Sequence, residues 1–202
     1  MLTQRSKYQK NGPGWYSKEV VELEIHTKEY KPVRGSSYIP LPDFIANMTA
    51  IINIKNNNEK CFLWSMLRYL HPRETKNRRL TDLKQYEDEL GFNGIDFPVK
   101  LKDVKRFENR NSILPGDDVF PINDKNDFYP LRMAEKDCQK TTDLFLFEKD
   151  GKHHYSLIEH FNRLFRFQII SQTNAPVYIC KECFTIFTKK ELFDKQAILP
   201  QK

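Results

Sequence analysis

Two residues in this chain have the type and setting for nucleophilic chemistry, Cys61 and His154. Cys61 stands where the Asn-rich run Asn56-Asn57-Asn58 gives way to apolar side chains at 62, 63, 66, 67 and 70. That spacing of three and four predicts one face of a helix, with Cys61 in its first turn. Unpaired backbone N–H groups and the helix dipole stabilise an anion there, so a thiol at this position leans toward thiolate, the nucleophilic form. A buried, inert cysteine is the plainer alternative, because free Cys is among the most buried residue types. His153 and His154 come much later, at the start of an apolar run. Neighbouring strand residues face opposite sides, so only one of them can serve a site lined by the Cys61 helix. His154, followed by the aromatic Tyr155, is the expected general base, although histidines beside a turn are commonly plain surface residues.

Several elements must hold these two side chains. Residues 1 to 17 read as a flexible lead-in, and Val20 to Ile25 alternates like a strand. Asp43 is placed to cap a short helix through Met48, and Ala50 to Ile54 reads as a strand. Pro72 stops the Cys61 helix; further helices are expected from Thr81 and over Leu101 to Asn109. The Pro, Gly and Asp residues from 115 to 127 predict a loop, and Phe128 to Arg132 a short strand. The strongest local signal is Lys149-Asp150-Gly151-Lys152 between Leu144–Phe147 and His154–Ile158, which predicts a hairpin. No internal repeat is present. Helices followed by strands argue for an α+β fold, with a helical part carrying Cys61 packed on an antiparallel sheet carrying His154.

The 202 residues suffice for one sizeable domain and a small appendage, and 39% hydrophobic content is enough for a core. The longest apolar runs are only a few residues, so no membrane span is expected, and Met1 to Lys7 lacks the apolar stretch of a secretory signal. Four cysteines without a disulfide-like framework suit a reduced, intracellular setting, cytoplasmic or nuclear. The net charge of +6 comes from cations interleaved with Asp and Glu, apart from the short cluster Arg73 to Arg79. A solvated surface explains this better than a nucleic-acid site, though an acidic partner fits too.

The pattern Asn58-x-x-Cys61-Phe62-x-Trp64, followed much later by a hairpin and His154-Tyr155, resembles the papain-like cysteine proteases, most closely the ovarian-tumour (OTU) class of deubiquitinases. That class carries Asp-Gly-x-Cys; here Asn58 stands in place of Asp and Glu59 in place of Gly. The resemblance implies that Cys61 attacks a carbonyl and His154 takes and returns its proton. It implies an isopeptidase acting after the Gly-Gly tail of ubiquitin or a ubiquitin-like protein, with Tyr155 flanking the channel. A longer similarity covers most of residues 15 to 187, including Tyr38-Ile39-Pro40-Leu41-Pro42, Leu70-His71-Pro72 and Gly94-Ile95-x-Phe97-Pro98-Val99. It is to an uncharacterised domain of virus-like mobile elements of the Polinton or Maverick kind, where the position six after the histidine is often Asp or Asn. Here that position is His160. The residue orienting His154 is therefore expected to be Asn162 or His160, with Asn162 slightly preferred and Asp143 a further choice. Oxyanion donors are expected from the backbone N–H of Cys61 and from Asn57 or Asn58, although the Asn run also suits a plain turn. Phe62 and Trp64 are expected in the core.

The last 30 residues, 173–202, follow a catalytic domain expected over 18–172. Cys180-x-x-Cys183-x-x-x-Phe187 has the first half of a zinc finger, but Gln196 stands where a histidine would complete it. Cys180 and Cys183 are thus weak metal candidates, Cys138 weaker still, and no cofactor is expected. The competing reading of the whole chain is a non-enzymatic module binding nucleic acid or protein; a papain-like fold with decayed activity is a third.

Overall fold

The computed structural model describes residues 38–72, 79–111, 116–123, 126–134, 141–169, 177–181 and 185–198. The expected strand at 20–25, the lead-in, most of the Arg73–Arg79 cluster, Cys138 and Cys183 lie outside them. The described residues belong to two compact units, one within Pro32–Ile169 and one holding 177–198.

The larger unit is α+β. Its helices are α1 (Asp43–Ala46), α2 (Cys61–Leu70), α3 (Leu80–Leu83, continued by a 3-10 turn at Lys84–Tyr86), α4 (Leu101–Arg110) and α5 (Phe161–Ile169). Its strands are β1 (Ile51–Ile52), β2 (Gly116–Pro121), β3 (Thr141–Lys149) and β4 (Lys152–Ile158), hydrogen-bonded in the order β1-β4-β3-β2. Among the described residues no helix is long and apolar enough to cross a membrane.

The β3–β4 hairpin forms where expected. Asp150 and Gly151 both take positive φ, 52° and 71°, as a two-residue type I′ turn requires, and pair Lys149 with Lys152. The sheet is not purely antiparallel, because β2 runs parallel to β3, Gly116 beside Thr141 through Pro121 beside Leu146. Residues 116–121 are therefore a buried strand where a loop was expected. Gly-Asp-Asp-Val-Phe-Pro is a poor strand former in isolation; pairing with β3 and burial decide its conformation. The expected strand at 128–132 is reduced to isolated bridges, Phe128 to Ile122 and Arg132 to Val119. The expected strand at 50–54 pairs only through Ile51 and Ile52. α1 ends at Ala46, short of Met48, and Asp43 is its first residue rather than its cap.

The core lies between α2, α4 and one face of the sheet. Phe62, Leu63, Trp64, Met66 and Leu67 meet Phe107 of α4 and Leu144, Tyr155 and Leu157 of the sheet. Phe62 sits at its centre, with edge-on ring contacts to Phe107 at 5.0 Å and Tyr155 at 5.2 Å. The opposite face of the sheet is also covered by aromatics, Phe120 and Phe145 with Phe128 and Phe165.

The smaller unit contains β5 (Tyr178–Ile179), β6 (Ile186–Phe187) and α6 (Lys190–Ile198). The strands pair antiparallel, and Phe193 of α6 meets the rings of Tyr178 and Phe187 at about 6 Å.

Candidate active site

α2 begins at Cys61 itself, as its apolar spacing requires. Its entry is tied down locally. The Asn58 side-chain oxygen accepts the Lys60 N–H at 3.2 Å and the Trp64 indole N–H at 3.0 Å, joining the turn to the helix. Buried Asn56 donates its side-chain N–H to the Asn58 carbonyl. At the other end Arg68 donates to the carbonyls of His71 and Pro72 at 3.1 and 2.9 Å, closing the last turn before the proline.

The first turn of α2 docks against the backbone of β4. β1 pairs with β4 only at Ile51–Ile158 and Ile52–Leu157, so the β4 edge is open beyond Leu157. There the Tyr155 N–H donates to Cys61 Sγ at 3.4 Å, and the Ser65 hydroxyl lies 3.0 Å from the Cys61 carbonyl and 3.3 Å from the Tyr155 carbonyl. The helix thus replaces the missing strand, and Cys61 Sγ meets the peptide that joins His154 to Tyr155. Tyr155 and Leu157 point into the α2 core; His154 and Ser156 alternate to the other face.

On that face His154 is buried, and its Nε2 lies 2.8 Å from Oδ1 of Asn53, the residue that follows β1. The Ser156 hydroxyl donates to the same Oδ1 at 3.2 Å, and Asn53 Nδ2 donates to the Ile39 carbonyl at 2.9 Å. Tyr38 packs edge-on to the imidazole with ring centres 6.1 Å apart. Nδ1 of His154 is buried and makes no hydrogen bond among the described residues, so Cys61 does not donate to it in this state.

Burial controls the protonation of both groups. It pushes the Cys61 thiol from 9.0 up to about 11, although the N–H groups of Tyr155, Phe62 and Cys61 itself pull the other way. It pulls the His154 imidazole from 6.5 down to about 4. Near neutral pH the sulfur keeps its proton and the ring is uncharged. The thiolate leaning expected from the helix start is outweighed by desolvation.

The other expected site residues are placed as follows. His160 and Asn162, one of which was expected to orient His154, are exposed and lie beyond the end of β4, while Asn53 Oδ1 is the group that meets His154 Nε2. Asp143 lies on β3, in register with Asp118 of β2. Asn57 is exposed, and Asn58 uses its side-chain oxygen to hold the helix entry. Tyr155 is a core residue packed on Phe62 rather than the wall of a surface channel. Phe62 and Trp64 are core residues as expected. His153, on the face opposite His154, reaches Glu148 at 3.3 Å.

Sequence reasoning missed Asn53. Its side chain meets that of a residue 101 positions away, and the only signal was an amide interrupting the apolar run from Ala50 to Ile54. Cys180 is half-buried and its N–H donates to the Thr185 carbonyl at 2.9 Å, within the turn between β5 and β6. Among the described residues no group of three or more His, Cys, Asp or Glu side chains is placed to hold a metal ion. Comparison with family models, with curated proteins and with solved structures finds no match to this chain.

Proposed function

We propose that this protein is a thiol-dependent peptidase, a papain-like fold of the OTU kind, with Cys61 as nucleophile and His154 as general base. The observation that supports it best is the docking of the first turn of α2 on β4. Cys61 Sγ accepts the N–H of the residue next to His154, whose ring has one nitrogen engaged and the other without a partner. Because the resting pair is neutral, proton transfer accompanies attack instead of preceding it. The Cys61 S–H bond breaks as its proton passes to the imidazole, and the sulfur bonds to the substrate carbonyl carbon. The oxyanion faces the backbone N–H groups of the first helical turn. The imidazolium returns its proton to the leaving amine, and water then hydrolyses the thioester. The likeness to the OTU class makes the Gly-Gly tail of ubiquitin or a ubiquitin-like protein the substrate to try first.

The test is reaction of the full chain with ubiquitin and ubiquitin-like proteins carrying a C-terminal electrophile. A covalent adduct that disappears in Cys61→Ala is the expected result; a folded sample that reacts with none of them sinks the proposal. The 3% exposure of Cys61 favours a second reading, a non-enzymatic module of a mobile element. That reading predicts salt-dependent nucleic-acid binding, or binding of a protein partner, indifferent to Cys61→Ala.

A further inference from the structure

α4 sorts its charges when it folds. Along the chain Lys102, Lys105, Arg106 and Arg110 are interleaved with Asp103 and Glu108, the mixture that a solvated surface shows. On the helix they separate. Asp103 is buried with Val104 and Phe107, and Glu108 is committed to Arg132 and to the Asp117 N–H. The exposed residues are Lys102, Lys105, Arg106, Asn109 and Arg110. At about 3.6 residues per turn they share less than half of the circumference, so one face carries cations and an amide. Lys102, Arg106 and Arg110 stand in one row, with about 6 Å of axis between neighbours. Like charges at this spacing weaken a helix, and Lys102 also meets the positive end of the dipole. Neither Lys102 nor Arg110 forms an ion pair among the described residues, while Arg106 reaches buried Asp103 at 3.4 Å. The row is nonetheless held in place. Arg106 Nη1 donates to the Gly94 carbonyl at 3.0 Å, and Arg110 Nη2 lies 3.8 Å from where a Gly94 Cβ would stand. Gly94 takes φ +72° in a turn closed by the Ile95 N–H on the Phe92 carbonyl, which seats both arginines on one side.

We infer that the outer face of α4 is a docking surface for the phosphodiester backbone of a nucleic-acid duplex. Charge complementarity selects this occupant. Guanidinium, ammonium and amide groups are the donors that phosphate oxygens take, and a polyanion relieves the repulsion along the row. A protein partner would call for an apolar or aromatic anchor at the centre of its interface. Tyr129, Leu131 and Leu192 are the exposed large apolar side chains among the described residues, and none of them is on α4. With no aromatic ring on this face to stack on a base, binding is expected to follow the backbone and not the sequence. The surface uses neither Cys61 nor His154, so it holds whether or not those residues react.

The experiment titrates a fluorescent DNA duplex of mixed sequence with the full chain and follows its anisotropy over a range of salt concentrations. The wild type is expected to bind with log K falling linearly against log salt at a slope of about −3, since each phosphate neutralised contributes about −0.9. Lys102→Gln combined with Arg110→Gln removes no hydrogen bond or ion pair among the described residues. It should make the slope shallower by about 2 and weaken binding at least about tenfold at low salt. If the pair does not fold, each single variant should make the slope shallower by about 1. An RNA duplex of the same sequence offers the same backbone chemistry, and the tighter of the two duplexes identifies the source. The control is Lys189→Gln with Lys195→Gln, exposed cations of the smaller unit, which should leave the slope unchanged. Equal losses in the control and the α4 variant overturn the inference, because net charge alone would then explain binding. So does a wild-type slope in the α4 variant, or a wild type that binds neither duplex or prefers polyglutamate or phosphatidylserine vesicles. Absence of an adduct with the ubiquitin-tail electrophile counts only against the peptidase reading and leaves this inference standing.

Discussion

The two ends of the four-stranded sheet bury ionisable side chains in opposite ways. At the β1–β4 end, His154 keeps one ring nitrogen on Asn53, and Cys61 takes an N–H from Tyr155. At the β2–β3 end, Asp117 is fully buried and neither carboxyl oxygen has a partner among the described residues. Its register partner Thr142, also fully buried, likewise has an unpartnered hydroxyl. The charged pair nearby serves the Asp117 backbone instead: Glu108 accepts its N–H at 2.7 Å, and Arg132 donates to its carbonyl and to Glu108. Burial, aided by the Glu108 charge, holds the Asp117 carboxyl well above the usual carboxylate range. Burial alone therefore does not make a site. A buried polar group acquires a direction when its partners fix its orientation, as Asn53 does for His154. Without them it is only a cost to stability.

Four measurements break or sharpen this contrast. The largest effect is expected from His154→Gln, which removes the proposed base and should slow adduct formation by at least about 100-fold while the chain stays folded. A rate near wild type would remove His154 from the chemistry. Next is the thiol. With its proton held to about 11 instead of 9.0, native Cys61 should alkylate about 100-fold more slowly than the same cysteine in urea at pH 7.5, with the native rate still climbing beyond pH 9. Equal native and denatured rates would show the sulfur to be neither shielded nor desolvated.

The third compares the two ends directly by urea unfolding. Asn53→Leu should destabilise by about 1–3 kcal/mol, because it leaves the Nε2–H of His154 buried and unmet. Asp117→Val should stabilise by about 1–2 kcal/mol at neutral pH, because it replaces an unpartnered carboxyl with a strand-forming apolar side chain. Their pH dependences should oppose. His154 binds its proton less readily in the folded state, so its share of stability is present above the unfolded value of 6.5 and is lost as pH falls toward about 4. Asp117 binds its proton more readily in the folded state, so stability falls as pH rises above 3.8 toward its raised folded value, and Asp117→Val should abolish that slope. Two variants changing stability in the same direction would defeat the comparison. The smallest effect is expected from Gly151→Ala in the hairpin turn. A Cβ there meets nothing within 4 Å, so only the left-handed backbone at φ +71° opposes it, at about 1 kcal/mol.

Local chemistry makes part of this arrangement legible in the sequence. The i, i+3, i+4 spacing after Cys61 marks α2, since one helical face must meet a core. Asp150-Gly151 marks the β3–β4 turn, since few residues accept two successive positive φ angles. Together they present Cys61 and His154 as residues able to do chemistry. β2 escaped notice because Gly116-Asp117-Asp118 has no strand signal of its own and is held by β3.

The sequence by itself thus determined the helix that starts at Cys61 and the strand that carries His154, because each is written in residues close together in the chain. The tertiary structure alone decided that α2 replaces β1 along the β4 edge, that Asn53 rather than His160 or Asn162 meets the imidazole, and that burial pushes the thiol up and the imidazole down. Those outcomes depend on contacts between distant residues and on exclusion of water, and neither spacing nor propensity encodes them.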